Sequence, residues 1–229
     1  MTNKLRVSEI YCSVQGESTH AGRVCTFVRL AGCPLRCRYC DTPYALTVRD
    51  GEPYSQAQII QEVQQFPTHL VEITGGEPLM QRAAIGLMHQ LAELGFEVLV
   101  ETSGAYELPE VSDSITWILD VKGPCSGEMD RMVWNNLAQL RPHDEVKFVI
   151  HNRDEYSWAL EQVAKYGLES CKVLFSPVQP NFEAIGNNSP LNEGLSPAQL
   201  AEWMVSDGVS ARLQLQQHKW IWEPKARGV

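Results

Sequence analysis

Residues Gly32 to Thr42 read GCPLRCRYCDT, which sets Cys33, Cys37 and Cys40 in a C-x3-C-x2-C run with no fourth cysteine to complete the set. Thiolates this close together are metal ligands in the making. Structural zinc and electron-transfer clusters fill every coordination position, normally with four protein ligands. A cubane 4Fe-4S cluster held by three thiolates keeps one iron open, and an open position is what separates catalytic from structural metal sites. Two other readings complete the set instead: a zinc site with His20 or another histidine as fourth ligand, or a four-cysteine cluster closed by Cys12 or Cys25. The chain has seven cysteines, an odd and clustered set that argues against disulfides. Cys12, Cys25, Cys125 and Cys171 stand alone and read first as small hydrophobes.

Other unusual residues fall at similar places. Thr74-Gly75-Gly76-Glu77-Pro78, Glu101-Thr102-Ser103-Gly104, Asp120-Val121-Lys122, Ser176-Pro177-Val178-Gln179 and Gln216-Gln217-His218-Lys219 each close a short apolar or β-branched run. Those runs predict strands near 23–30, 69–74, 96–101, 115–121, 145–150, 171–175 and 211–216. Between them lie helical patterns. Ser55 and Gln58 make a capping-box start for 56–65, Gly95 and Gly167 close helices over 80–94 and 154–166, and Ser196-Pro197 opens one running to about 206. Alternating strands and helices specify a mainly parallel sheet, α/β in class. In a β/α barrel the C-terminal strand ends meet at one mouth, where barrel enzymes keep their chemistry.

A closed barrel of this kind takes about 250 residues. With 229, the chain predicts a single-domain, partial (open) β/α barrel of six to seven mainly parallel strands. Residues 177–195, rich in Pro, Gly and Asn, read as a long loop. Hydrophobic residues make up 44%, but no uninterrupted run is long enough to span a membrane and the N-terminus lacks a signal-type apolar stretch, so the expected location is cytoplasmic. The net charge of −9 is uneven: residues 1–50 carry +3 and the remainder −12. An acidic chain is a poor grip for nucleic acid, whereas a locally basic segment around the cysteines suits a small anion.

The cysteine run, Tyr39 before its third cysteine, and the Gly-Gly-Glu-Pro element at 75–78 together resemble the radical S-adenosylmethionine (SAM) superfamily. Neither the zinc reading nor the four-cysteine reading accounts for that second motif. Further matches at Glu9–Glu17, Phe27–Leu30, Cys40-Asp41-Thr42, Glu101–Gly104 and Gln217-His218-Lys219 extend across nearly the whole chain and resemble the 7-carboxy-7-deazaguanine synthase family. The resemblance implies conversion of 6-carboxy-5,6,7,8-tetrahydropterin to 7-carboxy-7-deazaguanine with loss of ammonia, in queuosine and deazapurine biosynthesis. It implies a 4Fe-4S cluster, SAM and Mg²⁺ as cofactors, an electron donor such as a flavodoxin, and a homodimer.

By position, the resemblance makes Cys33, Cys37 and Cys40 the cluster ligands and Thr42 the Mg²⁺ ligand. It assigns SAM contacts to Tyr39, Cys40, Asp41, Gly76, Asp120, Val121, Lys122, Ser176, Pro177, Val178 and Gln179. It assigns substrate contacts to Val14, Gln15, Gly16, Arg29, Thr74, His218 and Pro224. Family members often have Ser-Pro-Lys where this chain has Asp120-Val121-Lys122, and they tend to end near Pro224, whereas this chain runs on through a C-terminal extension, 224–229. The rival enzyme is an activase that installs a glycyl radical in a partner protein, since it also uses C-x3-C-x2-C. The rival outside enzymes is an iron-sulfur electron carrier, which needs a fourth ligand.

Overall fold

A computed structural model describes residues 4–179, 194–223 and 226–229. Among these residues, nine strands form one open sheet in the order β3-β1-β2-β4-β5-β6-β7-β8-β9. They are β1 (Lys4–Val14), β2 (Val24–Leu30), β3 (Glu52–Ser55), β4 (Leu70–Gly75), β5 (Glu97–Thr102), β6 (Ile115–Val121), β7 (Glu145–Ile150), β8 (Lys172–Pro177) and β9 (Arg212–Leu213). Seven of them, β2 and β4 to β9, run parallel, as the alternation of apolar runs and helices requires. Two more, β1 and β3, extend the sheet antiparallel at the β2 edge.

No strand was expected before residue 23. β1 lacks a continuous apolar face because Glu9, Tyr11 and Ser13 pair with Arg29, Phe27 and Cys25 on the side that lines the barrel. The last strand is also shorter than the run 211–216: Gln214 still bonds to the Phe175 carbonyl, and the chain then turns away.

Among the described residues, four helices cover the outer face: α1 (Gln56–Val63), α2 (Ala83–Glu93), α3 (Arg153–Tyr166) and α4 (Pro197–Asp207); a short α5 (His218–Ile221) lies in the tail. Ser55 caps α1 by accepting from the Gln58 amide, and the Ser55 amide donates back to the Gln58 side-chain oxygen to complete the box. Gly167 and Gly208 end α3 and α4 at positive φ, where a glycine costs least. Before α2, residues 78–80 form a tight turn, so this helix starts at 83 instead of 80.

Alternation along each parallel strand divides the sheet into two faces. Val28, Leu30, Val71, Ile73, Val98 and Val100 point outward under α1 and α2, and Leu119, Val121, Val146, Phe148 and Phe175 point outward under α3 and α4. Each of these side chains contributes about 1.5–3 kcal/mol by leaving water. Inward, Cys25, Phe27, Leu70, Leu99 and Ile118 pack an apolar layer nearer the strand starts. One step on toward the mouth, the inward positions change to Arg29, Thr74, Glu101 and Asp120.

Candidate active site

Two loops at the mouth are joined backbone to backbone. The Gly76 amide donates to the Leu30 carbonyl (2.9 Å) and the Glu77 amide to the Gly32 carbonyl (2.8 Å), so the loop after β4 lies directly on the start of the cysteine loop. The glycines make that approach possible. A Cβ at Gly75 would sit 2.0 Å from the Leu30 oxygen, and one at Gly76 would sit 2.2 Å from the Gly32 oxygen. Gly75 also has φ +133°, a conformation that side chains disfavour.

Glu77 is fully buried and ties this pair to a third loop. Its carboxylate accepts from the Leu79 amide, the Thr102 hydroxyl, and both the amide and hydroxyl of Ser103. Burial pushes its carboxyl up while these donors pull it down. The Glu of the Gly-Gly-Glu-Pro element is thus a structural hub holding the ends of β4 and β5 in register.

Burial pushes the thiols of Cys33, Cys37 and Cys40 up, and in each case Lys122 opposes the shift. The three also sense one another's charge. Yet no three thiol, imidazole or carboxylate groups among the described residues lie close enough to share one metal ion. A polynuclear cluster asks for less, since each thiolate takes its own iron. The alternative fourth ligands lie elsewhere. His20 sits at the opposite end of the barrel against Glu97 and Glu145, Cys25 is buried in the apolar inner layer, and Cys12 stands opposite Thr26 in the sheet.

Beside the thiols, Lys122 pairs with Asp120 at 2.8 Å and lies 6.0 Å from the centre of the Tyr39 ring. Tyr39 Oη and Asp120 Oδ1 are buried here without a hydrogen-bond partner, as is Gln179 Nε2 just past the end of β8. Leaving such groups unpaired costs about 1–3 kcal/mol each, and a polar ligand would recover it. The donor set and these orphaned atoms therefore fit a 4Fe-4S cluster with SAM beside it. Val121 points into the outer core, so only its backbone faces the mouth. Ser176 is buried at the inner end of β8, followed by Pro177 and by Val178, whose amide bonds to the Ile150 carbonyl.

Below the thiols the wall is charged. Arg29 donates from Nε to Glu9 (2.7 Å) and from Nη2 to Tyr11 Oη (3.0 Å); Nη1 has no partner among the described residues. Tyr44 also reaches Glu9 (3.0 Å), and Arg227, from the C-terminal segment, stacks 4.0 Å above the Tyr44 ring. Thr74 donates to Glu101 (3.1 Å). Gln15 donates to Glu72, whose carboxyl is pushed well above the ordinary range by burial and by the nearby Glu101 and Glu17.

The tail closes the open side. The Gln217 amide donates to the Gly16 carbonyl (2.9 Å), and a Cβ on Gly16 would stand 2.4 Å from His218 Nδ1. Gln216 and Lys219 both hold Asp41 at 2.9 Å, and Asp41 accepts from the Thr42 hydroxyl at 3.1 Å. Gln15 already uses its amide and carbonyl in the hairpin with Arg23 and Gly22. The structure thus brings Gly16 into contact with His218, and Asp41 and Thr42 to the same tail. Val14 ends β1, while Pro224 lies outside the described residues.

Sequence reasoning missed Glu17, Glu72 and Lys147. A signal existed for the two strand residues: strands covered on both faces should be almost wholly apolar, yet LVEIT carries Glu72 inward and EVKFVI carries Glu145 and Lys147 on one face.

Residues 28–115 match the radical SAM superfamily. The crystal structure of QueE from Escherichia coli overlays 93% of this chain and 94% of its own with a TM-score of 0.71, at 20% identity, a likeness of fold. Fold and site together define a radical SAM enzyme, a class that implies a 4Fe-4S cluster and SAM. The chain is 44% identical to the 7-carboxy-7-deazaguanine synthase of Koribacter versatilis, over 98% of its own length and 100% of that protein. It is 41% identical to the synthase of Chlorobaculum tepidum, over 98% and 97%. The chain belongs to the 7-carboxy-7-deazaguanine synthase family.

Proposed function

We propose that the protein converts 6-carboxy-5,6,7,8-tetrahydropterin to 7-carboxy-7-deazaguanine by radical ring contraction with release of ammonia. The observation that carries this reading is the convergence at the mouth: a three-cysteine loop bonded through its backbone to the Gly-Gly-Glu-Pro loop, above a wall bearing Arg29, Thr74 and Glu101. When bound, the cluster and SAM supply homolytic cleavage of SAM and abstraction of a substrate hydrogen.

Cys33, Cys37 and Cys40 would hold the cluster, with Tyr39, Asp41, Gly76, Asp120, Val121, Lys122 and Ser176 to Gln179 around SAM. The buried orphans Tyr39 Oη, Asp120 Oδ1 and Gln179 Nε2 are the atoms that such a ligand would satisfy. Arg29 is the partner for the pterin carboxylate. Glu9 and Tyr11 fix two of its donors, so the Nη1 edge is presented in one orientation, which suits planar recognition of a carboxylate. Val14, Gln15 and Gly16 read the pterin edge, with Thr74 and His218 beside it. For Gln15 the free capacity is the second lone pair of its main-chain carbonyl, since its carboxamide donates to Glu72 and accepts from the Glu17 amide. Pro224 would complete the substrate contacts.

Thr42 is the Mg²⁺ ligand in this reading. Mg²⁺ keeps several waters and takes substrate oxygens, so one protein hydroxyl is enough. The protein would act in the cytoplasm as a homodimer and receive electrons from a flavodoxin-type donor.

Anaerobic reconstitution followed by SAM, Mg²⁺, a strong reductant and the carboxytetrahydropterin tests the reading. The expected result is 7-carboxy-7-deazaguanine and ammonia. Abundant deoxyadenosine with no such product overturns it. Thr42→Ala should weaken the Mg²⁺ response with iron content intact, and an unchanged response removes Thr42 from the site.

A further inference from the structure

We propose that Lys147 is a positioning residue: its buried ammonium orients the Glu101 carboxylate of the wall and the Glu17 carboxylate of the β1–β2 connection together, so one charge sets the substrate wall and closes the open side of the barrel. The inference rests on the function proposed above and extends it to a residue outside the motifs.

Lys147 lies midway along β7 and is only 5% exposed. Its Nζ stands 3.0 Å from Glu17 Oε2 and 3.5 Å from Asp120 Oδ2, and it donates to Glu101 Oε1. The partners come from three elements: the connection after β1, the end of β5 and the end of β6. The second oxygen of Glu101 accepts from Thr74, which leaves that carboxylate little rotational freedom. Glu17 accepts from Gln214 at one oxygen and Gln216 at the other, and Gln216 also donates to Asp41, next to Cys40. Contacts therefore run from β7 through Glu17 and the tail to the cysteine loop.

Stability alone does not explain this arrangement. Desolvating an ammonium and several carboxylates is expensive, and apolar residues of similar volume commonly fill such space at no loss. The layer beneath does so with Phe27, Leu70, Leu99 and Ile118. The charges of the wall also stay close to balance. Lys122 shares Asp120, and burial with the nearby Glu101 and Glu17 pushes the Glu72 carboxyl up. Removing the Lys147 ammonium would leave Glu101 and Glu17 facing each other across the wall with no cation between them.

The test compares Lys147→Met and Lys147→Arg with the parent chain, each reconstituted and matched for iron content. Hydrogen exchange across 214–219 is read without substrate. Steady-state kinetics are read with SAM and the carboxytetrahydropterin varied in turn. Lys147→Met should speed exchange in 214–219 by about tenfold, the equivalent of one lost charge-assisted bond. It should lower kcat/KM for the pterin by about a hundredfold, as a small misplacement of a reacting group does, while KM for SAM changes far less. Lys147→Arg should recover part of both effects. Parent-like exchange and pterin kinetics in Lys147→Met overturn the proposal. So does an equal loss for SAM and pterin that Lys147→Arg fails to rescue, which is the signature of a merely structural role. If Lys147→Met does not fold, Glu17→Gln replaces it, and unchanged exchange across 214–219 in that variant overturns the closure. Should the parent cleave SAM without consuming the pterin, the proposed substrate fails while the exchange arm still decides the role of Lys147.

Discussion

The two ends of the barrel are both polar, and they differ in how that polarity is kept. At the strand starts, Arg23 clasps Glu97 at 2.6 and 2.9 Å, His20 stands 3.5 Å from the same carboxylate, and Glu145 accepts from Thr19. An open cavity of about 510 Å³ lies there, lined in part by His20, Glu97, His143 and Lys172. At the strand ends, the polar groups are buried and several have no partner. Orphans near the strand starts are of another kind: the hydroxyls of Ser13 and Thr26, and His143 Nε2, whose side chain is 37% exposed and stands 3.9 Å from Asp144. Charge, concavity and stray hydroxyls therefore do not locate the site. Three thiols and an unpartnered carboxylate and phenol oxygen, beside loops that only glycine lets touch, do.

The sharpest way to break this contrast is at the thiols. Cys37→Ala should abolish SAM cleavage and lower bound iron, measured as deoxyadenosine and iron per chain after reconstitution. Surviving cleavage would mean that the mouth does not hold the cluster. Next comes the contact between loops. Gly75→Ala places a methyl 2.0 Å from a backbone oxygen at positive φ, and should cost about 3 kcal/mol in denaturant unfolding. Gly95→Ala is the matched control, since it also has positive φ but nothing within 4 Å. It should cost about 1 kcal/mol, and equal losses would show that backbone strain alone matters at Gly75.

Much of the parallel framework was legible because its signals are local. β6 and β7 run over the expected residues, and the Ser55 box and Gly167 end their helices where glycine and capping chemistry require. The thiols and the Gly-Gly-Glu-Pro loop stood out because no structural need explains three cysteines in eight residues. What escaped depended on contacts between distant residues. β1 carries Glu9 and Tyr11 on its inner side because Arg29 waits across the ladder, and no pattern within residues 4–14 reveals that. Lys147 meets Glu17 across 130 residues of sequence, and Gln216 meets Asp41 across 175. The role of Glu77 also needed the fold, since its partners Thr102 and Ser103 lie on the next strand.

A smaller effect separates the ends by pH. Burial raises the Glu17 carboxyl, but Lys147 and His218 outweigh it and bring it from 4.5 down to about 2. A carboxyl depressed on folding binds fewer protons in the folded state. Its contribution is therefore complete above the unfolded value of 4.5 and lost as pH falls toward about 2. Glu17→Gln should flatten that part of the fall in unfolding free energy, followed by denaturant titration between about pH 5 and about pH 3. An unchanged slope would place the acid sensitivity elsewhere.

The smallest expected effect is at the base. Arg23 and Glu97 make a bidentate pair at 2.6 and 2.9 Å, yet the side chains are 47% and 43% exposed. Water and salt screen such a pair, and holding two long side chains together offsets much of the remaining attraction. Arg23→Ala should therefore cost about 0.5 kcal/mol or less, and less still in high salt. The substitution is informative because the Arg23 carbonyl accepts from the Gln15 amide, a backbone bond that alanine keeps. It removes the base charge while leaving the neighbouring segment 14–16 tethered. An unaltered kcat/KM for the pterin with a small stability loss would keep the two ends independent. A large rise in the pterin KM would mean that the exposed pair reaches the wall through Gln15, and the division between base and mouth would have to be redrawn to include residues 15–23.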